Sequence, residues 1–92
     1  MKYPTVPGKC PMCLTPIFSG STRLQNHCQF DVLMSNQNIT RIGMCKDCFI
    51  SASDEDIIEI FLGLKQYWRE TQFDIDEDVI LTRISRETVW PE

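Results

Sequence analysis

Two Cys-x-x-Cys pairs constrain this chain more than any other feature of its sequence. The first pair is Cys10 and Cys13, and the second is Cys45 and Cys48. Two residues between cysteines allow a knuckle turn to point both sulfurs at one ion, and two such pairs complete a tetrahedron of sulfur ligands. A closed four-sulfur site leaves no position for water or substrate. The pattern therefore predicts one structural Zn²⁺ ion, not a catalytic one.

Other uses of the cysteines are less consistent with the sequence. A chain of 92 residues buries only a modest core, so either disulfides or a metal would be a useful staple. The chain has five cysteines, and an odd number disfavours a secreted disulfide framework. A redox role suits one Cys-x-x-Cys pair better than two. Iron stays an alternative to zinc, since four thiolates in a tetrahedron also bind iron.

The segment between the two cysteine pairs predicts a β-hairpin. Apolar side chains occupy every second position of residues 26–34, and residues 39–44 show a similar alternation after a polar turn at residues 35–38. The positions expected to face the core are Cys28, Phe30, Val32 and Met34 in the first strand and Thr40, Ile42 and Met44 in the second. The hairpin accounts for the long separation of the pairs, because it leads the chain out and returns it to Cys45.

A helix is predicted after the second pair, with Ser53 as its N-cap and its end near Thr71. Acidic residues fill its first turn, where the helix dipole favours negative charge. Its apolar stripe at helical spacing consists of Ile57, Ile60, Phe61, Leu64 and Trp68. A glycine at position 63 lies within the helix and suggests close packing there.

The C-terminal element, residues 73–92, has two readings. Asp74 or Asp76 would cap a second helix that runs through Arg86, and this is the reading we favour, because acids precede the apolar run and arginines follow it. The run at residues 79–82, which is rich in β-branched residues, equally suits a strand.

Together these elements predict one α+β domain over residues 1–92, stapled by zinc. Residues 1–50 hold the first knuckle, the hairpin and a second knuckle, residues 51–72 the helix packed on the hairpin, and residues 73–92 an acidic element.

The order knuckle, hairpin, second Cys-x-x-Cys and helix, over about residues 8–70, resembles the treble-clef and zinc-ribbon families. In a treble clef the last two ligands open the helix, whereas in a ribbon they lie on a second knuckle. Five residues separate Cys48 from the helix cap at Ser53, which is more ribbon-like, although residues 45–49 could themselves open a helical turn. The whole is also similar to small zinc proteins of bacteriophages. Such folds serve many roles, so the resemblance implies metal binding and no particular activity.

The pair His27 and Cys28 before the hairpin, with the second cysteine pair after it, resembles the pattern of zinc-stapled HNH endonucleases. This resemblance implies that His27 is a general base. The chain departs from that family in three ways. Asn26 replaces the acidic metal ligand, Phe49 stands where the family has Asn, and His27 is the only histidine. Without ligands for a divalent ion at the phosphate, hydrolysis lacks its electrophile. We expect instead that His27 faces solvent or donates to a backbone carbonyl, and that Cys28 is a core residue.

Charge is unevenly distributed along the chain. The net charge of −4 comes from residues 51–92, where four basic side chains stand against eleven acidic ones, whereas residues 1–50 have five basic and two acidic ones. An acidic half repels phosphate backbones, so nucleic acid is a disfavoured partner and a protein partner is expected. A nucleic-acid surface, if there is one, would use the basic residues of the cysteine half: Lys9, Arg23, Arg41 and Lys46.

The aromatic and acidic residues of the C-terminal half have two interpretations. Trp68 is expected to pack on the hairpin and Trp90 to cover an edge, although Tyr67 and both tryptophans also suit an interface. The acids at positions 74 and 76–78 lack the ligand spacing of a calcium loop. We expect them to be the solvated start of a helix; the alternative is that they present negative charge to a basic partner.

The leading hypothesis is therefore a non-enzymatic zinc-binding protein that acts as a protein–protein interaction module, in the manner of a small phage regulatory or host-targeting factor. The runner-up is a nucleic-acid-binding zinc module, and an HNH-like nuclease, active or degenerate, is third. No apolar run approaches the ~20 residues needed to span a bilayer, and the N-terminus lacks the apolar stretch of a signal peptide. We expect a reducing cytoplasm, which would be that of the host for a phage protein.

Overall fold

The structure is a computed structural model that describes residues 3–71 and 75–89. Along the chain, its elements are β1 (Phe18–Ser19), β2 (Thr22–Arg23), β3 (His27–Met34), β4 (Ile39–Cys45), α1 (Lys46–Ser51), α2 (Asp54–Glu70) and β5 (Leu81–Val89). Strands β4, β3 and β5 form one antiparallel sheet in that order, and β1 pairs with β2 in a separate hairpin. The α+β class is confirmed.

The predicted hairpin is present as β3 and β4. Phe30 lies opposite Ile42, and Cys28 lies opposite Met44, so the two inward-facing rows share one face of the sheet. Side chains at positions 28, 30, 32, 34, 42 and 44 are all buried. In the turn, Gln37 adopts a left-handed conformation with φ 72°. The alternation of the sequence therefore predicted both the strands and their buried face.

Helix α2 begins and ends where the sequence predicts. The Ser53 hydroxyl accepts from the backbone N–H of Asp56, while the Asp56 carboxylate accepts from the backbone N–H of Ser53, which completes a capping box. The Thr71 N–H donates to two carbonyls of the last turn. Ile57, Ile60 and Phe61 are buried against the sheet in one hydrophobic cluster with the inward rows of β3 and β4.

The second cysteine pair does not form a second knuckle. Cys45 ends β4 and is the N-cap of the short helix α1, and Cys48 lies in the first turn of that helix. Of the two arrangements that the sequence left open, the structure has the one in which these cysteines open a helix. The ribbon-like preference was wrong, because a helix, α1, starts immediately after Cys45, and Ser53 caps a second helix, α2.

The C-terminal element is a strand, so our preference for a second helix through Arg86 was wrong. Strand β5 pairs antiparallel with β3, with Ile84 opposite Val32 and Thr88 opposite Phe30. Ser35 anchors the approach to the strand, because its N–H donates to the carbonyl of Ile80 and its hydroxyl accepts from the Ile80 N–H. Pairing with β3 satisfies the backbone of this strand, and a sequence pattern alone does not reveal that partner. The proposed caps differ in outcome: Asp76 precedes a turn, and Asp74 lies outside the described residues.

The remaining large aromatic residues divide between the core and the part of the chain that is not described. Trp68 is half-buried against the hydrophobic cluster, with its ring 6.3 Å from that of Phe61 in an edge-on contact. Trp90 lies outside the described residues.

Gly63 is buried on α2, and a small hollow beside it is lined by Pro4 and Thr5. Among the described residues, no helix is both long and apolar enough to cross a membrane.

Candidate metal centre

The first cysteine pair lies on a tight knuckle that its own backbone closes. The Cys10 N–H donates to the Thr15 carbonyl at 2.9 Å, and the Leu14 N–H donates to the Cys10 carbonyl at 2.9 Å. Leu14 has φ 62°, which is the left-handed conformation that most residues avoid. This turn places Cys10 in the interior and leaves Cys13 exposed.

The second pair is positioned by the junction of β4 and α1. The Cys45 side chain caps α1, and its sulfur accepts from the Cys48 N–H at 3.4 Å. This hydrogen bond favours the Cys45 thiolate, although burial outweighs it and raises the pKa of Cys45. Since the two cysteines are three positions apart, both sulfurs lie on the same side of the first helical turn.

The four sulfurs converge on one point. All four Sγ atoms of Cys10, Cys13, Cys45 and Cys48 lie within 4.8 Å of one another, and those of Cys13 and Cys45 are 3.6 Å apart. A tetrahedron with metal–sulfur bonds of about 2.3 Å separates its sulfurs by about 3.8 Å. A disulfide would need about 2.05 Å, and all five cysteines are free. The four cysteines are thus positioned to bind one metal ion.

The surroundings act differently on the individual thiols. The Thr15 hydroxyl, 3.1 Å from the Cys13 sulfur, stabilises the thiolate and lowers the pKa of Cys13 to about 6. Burial raises the pKa of Cys45 and of Cys48, where neighbouring cysteines add to the effect. Crowded sulfurs of this kind become thiolates together only when a cation compensates their charge, which is what a bound metal ion supplies.

The His27 side chain is neither exposed nor hydrogen-bonded to any described residue, so our expectation for it was wrong. Its side chain is 3% exposed, and within the described part of the chain neither ring nitrogen has a hydrogen-bond partner. The Phe18 ring covers it at 4.6 Å between centroids, and a Cβ at Gly43 would lie only 2.8 Å from its Nε2. Burial, and secondarily the positive charge of Arg23, lowers the pKa of His27.

This environment also bears on the nuclease hypothesis. A general base must reach the proton that it abstracts, and Phe18 and the sheet enclose the His27 ring. The four-sulfur group does not include His27. Cys28, on the opposite face of β3, is 1% exposed in the core as expected, and burial raises the pKa of its thiol to about 11.

Sequence reasoning missed three contributors to this region: Thr15, Leu14 and Gly43. A hydroxyl two residues after a cysteine is a signal that could have identified Thr15 as a partner of the thiolate. Gly43 lies in the interior of a predicted strand, which is a recognised sign of close approach by another group. Leu14 carried no signal, because its backbone conformation is set by the knuckle and not by its side chain.

The basic residues of the cysteine half do not form a uniform surface. Lys9 and Arg23 are exposed, and among the described residues neither has an ion-pair partner. Arg41 pairs with Asp31 across the hairpin at 3.0 Å, which offsets its charge. Lys46 is exposed beside the metal centre. In the other half, the acids at positions 76–78 are exposed as expected.

Comparison with protein-family models, with curated proteins and with solved structures finds no significant match to this chain.

Proposed function

We propose that this protein binds one structural Zn²⁺ ion through Cys10, Cys13, Cys45 and Cys48. The convergence of the four sulfurs is the observation that carries the proposal. Four protein ligands complete a tetrahedron, so the ion has no open position for substrate. Its role is to join the N-terminal knuckle to the junction of β4 and α1. Iron is the alternative occupant of the same cage.

The test is metal analysis of purified protein together with two cysteine variants. Cys45→Ser removes a ligand, and we expect it to lose the bound metal and the ordered structure of the N-terminal knuckle. Cys28→Ser is the matched control, because Cys28 is equally buried but lies outside the sulfur group. We expect the control to keep one zinc per chain. A folded Cys45→Ser protein with a full complement of zinc would refute the site, and a coloured protein that contains iron would refute the identity of the ion.

We further propose that the zinc-stapled domain is a non-enzymatic interaction module with a protein partner. Two features support this proposal: the acidic character of residues 51–92 and the exposed acids at positions 76–78, of which Glu77 is 77% exposed at its side chain. A surface of this charge attracts basic proteins and repels phosphate backbones. The role of a phage regulatory or host-targeting factor, acting in the host cytoplasm, rests on the sequence resemblance alone.

Capture of partners from bacterial extract tests the interaction. The bait is the zinc-loaded chain, and its control replaces three exposed acids with amides (Asp76→Asn, Glu77→Gln, Asp78→Asn). These changes leave intact the backbone carbonyl of Glu77, to which Lys65 donates. We expect a specific partner to bind the wild type and to be lost from the control. Equal capture by both would show that the acids are not the contact.

Nucleic-acid binding is the second candidate function, favoured by the exposed Lys9 and Arg23 in the cysteine half. Phosphate contacts of this kind weaken steeply as salt rises. Retention of zinc-loaded protein on DNA or RNA at low salt, lost in a Lys9→Ala/Arg23→Ala variant, would support it. Absence of retention at low salt would eliminate it.

A further inference from the structure

The side of α2 that points away from the core carries an apolar centre with charged ends. Residues at positions 55, 58, 59, 62, 65, 66 and 69 share this side by helical periodicity, and we call them the α2 outer face. At its centre Ile58 and Leu62 are 41% and 37% exposed. The buried residues of the same helix lie on the opposite side. Helix α2 is thus apolar on two sides, and only one of them is covered by the sheet.

The charges of this face are divided along the helix. Glu55 and Glu59 precede Leu62, and neither has an ion-pair or hydrogen-bond partner among residues 3–71 and 75–89. Lys65 and Arg69 follow it. Lys65 Nζ donates to the carbonyl oxygens of Glu77 and Val79, which fixes its position and leaves its positive charge unneutralised. Arg69 lies 3.4 Å from the Glu77 carboxylate, with about half of its side chain exposed.

This division makes the face complementary to the same face of a second copy that runs in the opposite direction. When two copies of α2 lie antiparallel about a twofold axis at Leu62, position 55 of one copy faces position 69 of the other, and position 59 faces position 65. Glu55 then meets Arg69, Glu59 meets Lys65, and the two Leu62 side chains meet at the axis. We propose that the α2 outer face binds a second copy of this chain in this antiparallel arrangement.

One further feature fits a second helix in this position. An open hollow of about 730 Å³ lies beside α2, between the helix and Glu77, and Leu62, Gln66 and Arg69 line it. Among the residues of α2, this register brings together one like-charge pair, Asp54 of one copy and Glu70 of the other. Asp54 is already bridged to Arg86, and Glu70 accepts from Gln66, so these two carboxylates have local partners.

The expected dimer is weak, because one helix of 17 residues on each side buries less than a standard interface. Its test is sedimentation of the zinc-loaded full chain from micromolar to millimolar concentration. The wild type should pass from monomer to dimer over this range. Leu62→Lys, which places two lysines together at the axis, should weaken association at least about tenfold. Ile39→Lys is the matched control, since Ile39 is 67% exposed but lies on β4; it should associate like the wild type.

Charge reversal tests the antiparallel register. Glu55→Arg alone and Arg69→Glu alone should each weaken association at least about tenfold, because each creates two like-charge pairs in the dimer. An equimolar mixture of the two variants should associate again as a heterodimer, in which every 55–69 contact joins opposite charges. Circular dichroism establishes that each variant is folded. A wild type that stays monomeric at millimolar concentration overturns the proposal, and so does a dimer that Leu62→Lys leaves intact. Failure of the mixture to associate overturns the register.

Discussion

At the scale of single residues, the cysteine knuckle contains a conformational strain that its chemistry does not require. Leu14 occupies the left-handed position that immediately follows Cys13, and its side chain is 50% exposed. An L-residue with a Cβ in this conformation is destabilised by roughly 1–2 kcal/mol relative to its preferred conformations. Glycine lacks this penalty, although it gives the unfolded chain more freedom.

We therefore predict that Leu14→Gly increases the free energy of unfolding of the zinc-loaded protein by about 0.5–1 kcal/mol. The control is Leu14→Ala, which removes the same exposed side chain but keeps the Cβ, and which should give no gain. Denaturant unfolding at fixed zinc concentration measures both. Equal stabilities of the glycine and alanine variants would show that the knuckle carries no strain at this position.

His27 presents the opposite case, a polar side chain whose burial lowers stability. Both ring nitrogens are enclosed without a partner among the described residues, and an unsatisfied buried polar group is destabilising by roughly 1–3 kcal/mol. We predict that His27→Leu raises the free energy of unfolding by about 1 kcal/mol at pH 7.5, because leucine is flexible enough to fit between Phe18 and Gly43. The comparison is His27→Asn, which keeps a buried polar group and should lower stability. A large loss in the leucine variant would indicate that the imidazole makes an interaction of its own.

The same residue predicts a pH dependence. In the unfolded chain an imidazole has a pKa near 6.5, and burial lowers the pKa of His27 in the fold. Below pH 6.5 the unfolded chain therefore binds a proton that the folded chain does not, so stability falls as pH falls from 6.5 towards the lowered folded pKa. The wild type should lose more stability than His27→Leu between pH 7.5 and 5.5, at equal zinc concentration. Parallel pH profiles for the two proteins would exclude His27 as the cause.

At the scale of elements, the N-terminus of α2 rests on a reciprocal pair of side-chain bonds. Ser53 and Asp56 each accept from the other's backbone N–H, at 3.2 and 3.1 Å. We predict that Ser53→Ala lowers the free energy of unfolding by about 1 kcal/mol, and that Ser53→Asp restores most of it, since aspartate also caps. Ser21→Ala is the control, at an exposed loop serine. Thermal and urea unfolding measure the differences, and an unchanged Ser53→Ala protein would mean that packing alone fixes the start of α2.

The elements differ in how far the sequence predicts them. The hairpin and α2 have regular periods of two and 3.6 residues, and their buried faces follow directly from those periods. Strand β5 has no such regular period, because its pairing with β3 shifts register between Phe30 and Val32 and again between Leu33 and Met34. Each shift interrupts the alternation, so that Thr82 and Arg83, although adjacent, are both exposed. The burial of His27 is equally hidden, because it depends on Phe18 and Gly43 from other parts of the chain.

At the scale of the whole molecule, β3 joins the two halves that the charge distribution separates. On one edge it pairs with β4, which leads into Cys45, and on the other with β5 from the acidic half. A contact away from the sheet also connects the halves, since Arg86 of β5 lies over the Phe49 ring of α1. The hydrophobic core between β3, β4 and α2 is therefore held by long-range contacts of its own. The knuckle that carries Cys10 and Cys13, by contrast, adds only Cys10 and the nearby Ile17 to the buried cluster, and short backbone bonds such as that from the Ile17 N–H to the Gly8 carbonyl close it.

This difference predicts how the protein responds to loss of its metal. When a chelator removes zinc, the sulfurs lose the charge compensation that holds them together, and the knuckle has few contacts to replace it. We predict that amide protons of residues 8–24 lose protection from hydrogen exchange first and by the largest factor. Residues 30–32 and 57–61, at the centre of the core, should keep measurable protection in the same sample.

Readdition of zinc should restore protection of residues 8–24, whereas magnesium should not, because Mg²⁺ prefers oxygen ligands to thiolates. Cys28→Ser should behave like the wild type throughout. If chelation instead abolishes protection of the core as fast as that of the knuckle, the metal is required for the entire fold. If it changes neither region, the four cysteines do not hold the structure together. The expected intermediate result means that zinc fixes the N-terminal knuckle onto a sheet and helix that already hold each other.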